Sequence, residues 1–245
     1  DLHPLDKKML GKVNTQFEEL SKEGFRVLGI ASRKVGLDHP HAVVSDETEL
    51  VFAGFAAFLD PPKESAQEAL ANLAADRVGV KVITSDNELV TQHVLAQLGL
   101  PVSGVLVGTE LQQMDDQALS ARVEQVNLFC RMTPTQKNRV ILALKRRGHV
   151  VGYLGDGIND APSLHSADVS ISVESAVDVA KAAADMILLK RDLKVLHAGV
   201  IEGRRTFGNI MKYIMMGTSS NFGNMFSMAG ASLFLPFLPM LPVQI

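Results

Sequence analysis

The chain has 245 residues, of which 47% are hydrophobic and 21% are charged, a composition that excludes an intrinsically disordered protein. Its formal net charge of −3 gives no basis for nucleic-acid binding. The single cysteine, Cys130, cannot form an internal disulfide, which favours a reducing, cytosolic environment.

The N-terminal part of the chain predicts one helix followed by two strands. The helix is expected over residues 4–23, and Gly24 marks its end. A strand is expected over residues 26–32, a polar loop over 34–47, and a second strand over 50–59.

Beyond the Asp-Pro-Pro string at residues 60–62, short apolar strands alternate with helices. This alternation predicts an α/β, Rossmann-like fold in which a parallel sheet carries helices on both faces. Active sites of such sheets lie at the carboxyl ends of the strands, so chemistry is expected after Ile83 and Leu154. The predicted strands cover residues 78–84, 104–107, 126–131, 149–154, 168–173 and 186–189, and the main helices cover 87–98 and 135–147.

The C-terminal part predicts a long helix over residues 192–235 that includes a transmembrane segment over 210–235. No charged residue or histidine follows Lys212, and several lysines and arginines precede it, which places the preceding side in the cytoplasm. Asn221 and Asn224 interrupt the apolar segment on one helix face. They are candidates for an ion path; the alternative is that they only bond neighbouring helices.

The strongest chemical motif is the string GDGIND at residues 155–160, directly after a predicted strand. Asp156 and Asp160 supply the oxygen ligands that Mg²⁺ prefers, and Gly155 and Gly157 allow close backbone approach. The alternative is an Asp-Gly turn in which Asn159 or Asp160 caps a helix.

Two further motifs contain groups that bind phosphate. Thr84 begins the string TSDN at a predicted strand end, where a hydroxyl and free amides can hold a phosphoryl group. The alternative is a simple helix cap made by Ser85 or Asp86. Lys137 lies on the first turn of a predicted helix and can neutralise phosphoryl charge, whereas the alternative is a solvated surface lysine.

Together, the threonine, the lysine and the aspartate pair resemble the haloacid dehalogenase-like phosphotransferase core. The resemblance implies that an upstream aspartate is the nucleophile, that Thr84 and Lys137 bind the phosphoryl group, and that the aspartate pair holds Mg²⁺. An aspartyl-phosphate intermediate divides one difficult hydrolysis into two easier steps.

Four strings narrow the resemblance to P-type ATPases: DPPK at residues 60–63, TSDN at 84–87, TPTQKNR at 133–139 and GDGIND at 155–160. Residues 219–224 resemble the fifth membrane helix of these pumps, and residues 236–245 resemble the following loop and the start of the sixth. Within the family, the chain is most similar to bacterial magnesium-transporting ATPases.

This resemblance assigns roles at the phosphorylation site. It implies that Asp156 is the Mg²⁺ ligand with support from Asn159 and Asp160, and that Asp60 and Asp86 orient the site and the nucleotide. It also implies contacts to ATP from Arg26 and to the ribose region from Arg131. In the membrane segment, Asn221 and Asn224 match positions that line the transported-ion site.

Two departures from the family pattern stand out. Ser85 occupies a position that is usually glycine, which would weaken phosphate binding if the backbone must approach closely. Two motifs of the family do not occur in the sequence: the Asp-Lys-Thr-Gly-Thr string, which carries the phosphorylated aspartate, and the lysine motif that holds adenine. Both are expected upstream of Asp1. The chain alone is therefore expected neither to hydrolyse ATP nor to incorporate phosphate.

The resemblance implies part of an ATP-driven cation pump in a bacterial inner membrane, with residues 1 to about 208 in the cytoplasm. The expected ligands and partners are ATP, Mg²⁺ as cofactor and transported cation, the lipid bilayer and the N-terminal part of the same pump. Two alternatives are a soluble phosphatase of the same fold and a non-catalytic regulatory partner. The expected domains are residues 1–55, the end of the nucleotide-binding domain; 56–195, the phosphorylation domain; 196–235, the stalk and transmembrane helix; and 236–245, the next loop and helix start.

Overall fold

The computed structural model describes residues 5–36, 41 and 43–237 of the chain. The chain divides into two compact units, Asp1–Lys194 and Val195–Ile245. The candidate chemistry lies in the first unit, which contains the strands. Of the predicted C-terminal loop, residues 238–245 lie outside the described residues.

The described residues contain eight strands. They are β1 (Arg26–Ser32), β2 (Val51–Phe58), β3 (Val82–Ile83), β4 (Val105–Val107), β5 (Leu128–Cys130), β6 (Gly152–Leu154), β7 (Val169–Val173) and β8 (Met186–Leu188). β1 and β2 pair as an antiparallel hairpin, whereas the others form two parallel sheets in the orders β3-β5-β4 and β6-β7-β8.

The same part of the chain contains nine α-helices. They are α1 (Lys7–Lys22), α2 (Glu64–Ala75), α3 (Glu88–Gln97), α4 (Gly108–Gln113), α5 (Asp116–Arg122), α6 (Pro134–Arg146), α7 (Ala161–Ser166), α8 (Asp178–Ala182) and α9 (Leu193–Phe234). The sequence did not predict α2, α4, α5, α7 or α8. Short 3₁₀ turns occur at Val44–Asp46, inside the predicted loop 34–47, and at Ile158–Asp160.

Helix boundaries follow from side-chain caps. Asp6 accepts a hydrogen bond from the amide of Met9 at the start of α1, and Gly24 follows the helix with φ +90°, a conformation that glycine adopts without strain. At α6, Thr133 and Gln136 bond each other's backbone amides in a capping box, and Pro134 occupies the first turn.

The prediction of parallel strands is confirmed, but the prediction of one continuous sheet is wrong, because the described strands pair in two groups of three. Most strands are also shorter than predicted, since only their central residues form ladder hydrogen bonds. The two groups share a core nonetheless. Ile83 and Val151 pack against both the cluster around Phe129 and the cluster around Leu164. The carboxyl ends of β3 and β6 are therefore held close together.

Helix α9 has 42 residues and matches the predicted extent of the long C-terminal helix. Within the described residues, however, no helix combines enough length with enough apolar character to cross a membrane. The predicted span includes Asn221, Asn224 and several glycines and serines, which lower its mean hydropathy. A transmembrane helix at residues 210–235 is therefore not confirmed.

The only cysteine in the sequence gives a direct test of the packing around β5. Cys130 is fully buried between Leu95 and Leu128, and burial raises the pKa of its thiol to about 11. We expect Cys130 to react with a disulfide reagent at pH 8 at least about a hundredfold more slowly in the folded chain than in urea, because the thiolate is the reactive form. The absorbance of the thiolate released from the reagent measures this rate. Equal rates in the folded and the unfolded chain would contradict the packing.

Candidate functional site

A cleft of about 530 Å³ opens where β3, β6 and the first turn of α6 meet. Of the residues that the sequence singled out, Thr84, Lys137, Gly155, Asp156 and Asp160 line it, together with Ser85. The three motifs lie up to 76 positions apart in the sequence, but in the folded chain they share one surface.

The loop after β3 is held by backbone bonds to the chain after β5. The amide of Thr84 donates to the carbonyl of Phe129, and the amide of Met132 donates to the carbonyl of Thr84. Thr84 Oγ1 accepts from the amide of Asp86 at 3.0 Å, which fixes the hydroxyl beside the cleft. Asn87, not Ser85 or Asp86, caps α3, so the simple-cap interpretation of this string is wrong about which residue caps.

The loop after β6 is positioned by β7. The amide of Gly155 donates to the carbonyl of Ile171, and Ser172 donates to the carbonyl of Gly155 at 2.8 Å. The following residue, Asp156, is exposed and accepts a bond from Arg191 Nη2 to Oδ2 at 2.8 Å.

Asp160 is the most enclosed charged group of the cleft. Its Oδ1 accepts bonds of 2.8 Å from Lys137 Nζ and from the Tyr153 hydroxyl, and its Oδ2 accepts from the amide of Gly157 at 3.2 Å. Burial by itself would raise the pKa of Asp160, but these bonds and the charge of Lys137 outweigh burial and lower it. Asp160 makes no side-chain cap to α7, but it accepts from the amide of Gly157 at the start of the 3₁₀ turn Ile158–Asp160, so the capping interpretation holds for that turn and not for α7.

Tyr153 was not predicted from the sequence, where it reads only as a buried strand residue. Burial and the neighbouring Asp160 carboxylate raise the pKa of Tyr153, so its hydroxyl stays protonated and donates. Arg191 was also missed, because the sequence presents it only as one positive charge among several before α9. Only the folded chain reveals its pairing with Asp156, 35 positions away.

The remaining predicted residues lie outside the set that lines the cleft. Arg26 and Asp86 pair with each other at 2.6 Å, and Arg131, at φ +54°, makes two bonds to Glu88. Asp60 and Asn159 are exposed, and Gly157 is half-buried. Asn221 and Asn224 lie exposed on α9 in the other unit.

Mg²⁺ is compatible with the donors present. The described residues contain no cluster of three or more histidine, cysteine, aspartate or glutamate side chains that could hold a metal ion by themselves, but Mg²⁺ does not require such a cluster. Asp156 and Asp160 provide two carboxylates, and Mg²⁺ typically uses one or two, completing its shell with water and phosphate oxygens. Lys137 and Thr84 line the same cleft and suit the phosphate that such a site requires.

The loop after β6 is closely packed around Gly155, and a substitution there can test this packing. A Cβ atom there would lie 2.7 Å from Asp160 Cβ and 3.0 Å from Tyr153 Cε1, whereas one at Gly157 would meet Asp160 Oδ2 at 3.4 Å. We expect Gly155→Ala to lower the free energy of unfolding by about 1–3 kcal/mol. The matched change Gly157→Ala should alter it by less than about 1 kcal/mol. Urea unfolding measures both, and equal effects would contradict the close packing at Gly155.

Residues 7–168 match haloacid dehalogenase-like hydrolases. The chain belongs to this family. The cleft lies at the carboxyl ends of β3 and β6, and Thr84, Lys137, Asp156 and Asp160 line it.

Curated relatives extend the similarity across the whole chain. It is 49% identical over 245 residues to "Magnesium-transporting ATPase, P-type 1" of Salmonella typhimurium and 47% identical over 245 residues to the protein of the same name in Escherichia coli. It is also 31% identical over 234 residues, 92% of the chain, to "Calcium-transporting ATPase 1" of Bacillus cereus. The chain covers 27% of each magnesium-transporting relative and 26% of the calcium-transporting one. It therefore spans about a quarter of the length of these relatives.

Proposed function

We propose that this chain is the phosphoryl-binding part of an ATP-driven P-type cation pump that works through an aspartyl phosphate. One observation carries the proposal: Thr84, Lys137 and Asp156, taken from three separate motifs, line the same cleft. The full-length similarity to magnesium-transporting pumps supports Mg²⁺ as the transported cation, since identity to the calcium-transporting relative is lower.

In this proposal the residues of the cleft divide the work of binding and charge neutralisation. Thr84 donates its hydroxyl hydrogen to a phosphoryl oxygen, and Lys137 offsets the negative charge that develops during transfer. Asp156 holds Mg²⁺ with help from Asp160, and the bound ion would neutralise phosphate charge. Tyr153 keeps Asp160 oriented through its hydroxyl.

Residues outside the cleft have proposed roles in binding ATP. Arg26 and Asp86, which pair with each other, are proposed to contact and orient the nucleotide, and Arg131 is proposed to lie near the ribose. Asp60 is proposed to orient the site, and Asn159 to support Asp156. The aspartate that accepts the phosphoryl group is proposed to belong to a part of the pump that the relatives have and these 245 residues do not include.

We also propose that the C-terminal half of α9 belongs to the membrane part of the pump. Lys212 is the last charged residue, and large apolar side chains beyond it are exposed, including those of Tyr213, Phe226 and Leu233. A helix with apolar residues on all sides requires burial by lipid or other helices. Asn221 and Asn224 are then candidates for the ion path. Retention of the chain in membranes after alkaline carbonate extraction tests this, and full release would contradict it.

The pump function is tested on the product of the complete reading frame in proteoliposomes. Because Mg²⁺ is also the proposed cofactor, stimulated hydrolysis alone cannot identify the cargo. We expect ATP-dependent flux of Mg²⁺, followed with an indicator dye on the other side of the membrane, and phosphate that hydroxylamine removes from the protein. Flux of Ca²⁺ without flux of Mg²⁺ would contradict the assignment of Mg²⁺ as the transported cation. Hydrolysis of soluble phosphate esters, with no phosphoenzyme formed from ATP, would favour a phosphatase instead.

A further inference from the structure

The cleft contains three cationic and three anionic side chains, and two of these cations, Lys63 and Arg191, have no role in the proposed chemistry. Lys63, Lys137 and Arg191 carry the positive charges, and Asp156, Asp160 and Asp192 carry the negative ones. Lys137 contacts Asp160 and has a role at the phosphoryl group. Arg191 instead binds Asp156, the carboxylate assigned to Mg²⁺, at 2.8 Å.

The backbone around Arg191 is anchored to the start of α2. Lys63 Nζ donates to the carbonyl of Arg191, and the Ser65 hydroxyl donates to Asp192 Oδ1 at 3.1 Å. Asp192 Oδ1 also accepts from the amide of Lys194 at 2.9 Å, and this bond lowers the pKa of Asp192. The anchored backbone keeps the guanidinium within reach of Asp156, with the Arg191 side chain 55% exposed.

A guanidinium and a magnesium ion cannot both use the same carboxylate oxygen without strong repulsion between the cations. We propose that Arg191 is an internal cation that competes with Mg²⁺ for Asp156 and thereby weakens Mg²⁺ binding at the cleft. This inference rests on the proposed role of Asp156. It assigns Arg191 as a residue that sets the metal affinity, separate from the residues that bind phosphate.

The test measures metal affinity directly, with Mn²⁺ as a spectroscopic substitute for Mg²⁺. Free Mn²⁺ is counted by electron paramagnetic resonance during titration of the full 245-residue chain, and Mg²⁺ is then added as competitor. We expect Arg191→Gln to bind Mn²⁺ about fivefold more tightly than the unaltered chain, since an exposed ion pair contributes up to about this factor. Arg191→Lys, which keeps the charge, should stay within about twofold.

The chain offers a closely matched control for net charge and exposure. Arg146 pairs with Asp116 at 2.8 Å, with side chains 52% and 50% exposed, against 55% and 57% for Arg191 and Asp156. Arg146→Gln removes the same charge from a similarly exposed pair outside the set lining the cleft, where Asp116 keeps a second partner, Arg139. It should leave the affinity unchanged, and an equal gain in this variant would overturn the proposal.

Asp156→Asn separates failure of this inference from failure of the proposed function. Asp156→Asn should weaken Mn²⁺ binding, and adding Arg191→Gln to it should have no further effect. If Asp156→Asn weakens binding but Arg191→Gln alone does not tighten it, competition by Arg191 is wrong and the metal site stands. If Asp156→Asn leaves Mn²⁺ binding unchanged, both assignments are wrong.

Discussion

Alanine in place of Asp156 is expected to lower phosphorylation of the proposed pump by ATP about a hundredfold to a thousandfold. Asp156 is the exposed carboxylate of the cleft, placed by the bonds between Gly155 and β7, and its proposed role is to hold Mg²⁺ beside the phosphoryl group. Without that carboxylate, the charge on the transferring group stays poorly neutralised. The measurement is hydroxylamine-sensitive phosphate on the acid-quenched protein at several Mg²⁺ concentrations.

Stability separates this effect from general damage to the fold. Within the described residues, the side chain of Asp156 bonds only to Arg191, in an exposed ion pair, so the free energy of unfolding should change by less than about 1 kcal/mol. Asp178→Ala is the matched control, because Asp178 is also an exposed aspartate in an ion pair, with Lys181 on α8. Full Mg²⁺-dependent phosphorylation of Asp156→Ala would refute the assignment of the metal ligand.

Methionine in place of Lys137 is expected to lower the free energy of unfolding by about 2–4 kcal/mol. The Lys137–Asp160 pair is nearly enclosed, with each side chain 12% exposed, so removing the lysine leaves a carboxylate with too little water around it. Tyr153 and the amide of Gly157 still donate to that carboxylate, which limits the loss. Urea unfolding followed by circular dichroism measures the change.

Two companion variants show whether an uncompensated charge causes the loss. Asp160→Asn in the Lys137→Met background should restore about 1–2 kcal/mol, because no charge then remains buried. Lys145→Met is the control on the same helix: Lys145 pairs with Asp168 at 2.9 Å with both side chains 33% exposed, and its loss should cost about 1 kcal/mol or less. If Lys137→Met costs no more than Lys145→Met, the Lys137–Asp160 pair has no special importance for stability.

The sequence located the cleft because its signals are local. Strand, turn and helix succeed one another around Thr84 and around Asp156, and parallel strands bring such turns to one edge. The contacts of Asp160 were not predictable in the same way. Whether this side chain caps α7 or binds Lys137 depends on how α6 packs beside β6, and no short string of residues records that packing.

The missed helices have a physical explanation of the same kind. Helix α2 reads ESAQEALANLAA, in which alanine dominates and the apolar stripe is narrow, so its pattern is weak. Its position is fixed by burial of Ala69, Leu70 and Leu73. The over-long strands reflect the opposite error, since apolar residues continue past the point where the neighbouring strand stops pairing.

The contact between Lys63 and Arg191 joins residues 128 positions apart, whereas Lys137 and Asp160 are 23 apart. Closing the longer loop in an unfolded chain costs about 1.5 kcal/mol more conformational entropy than closing the shorter one. During folding, the side of the cleft that holds Arg191 should therefore form after the side that holds Lys137. Under mild denaturant it should also open first, so that amide hydrogens near residue 191 exchange with solvent sooner than those of α6.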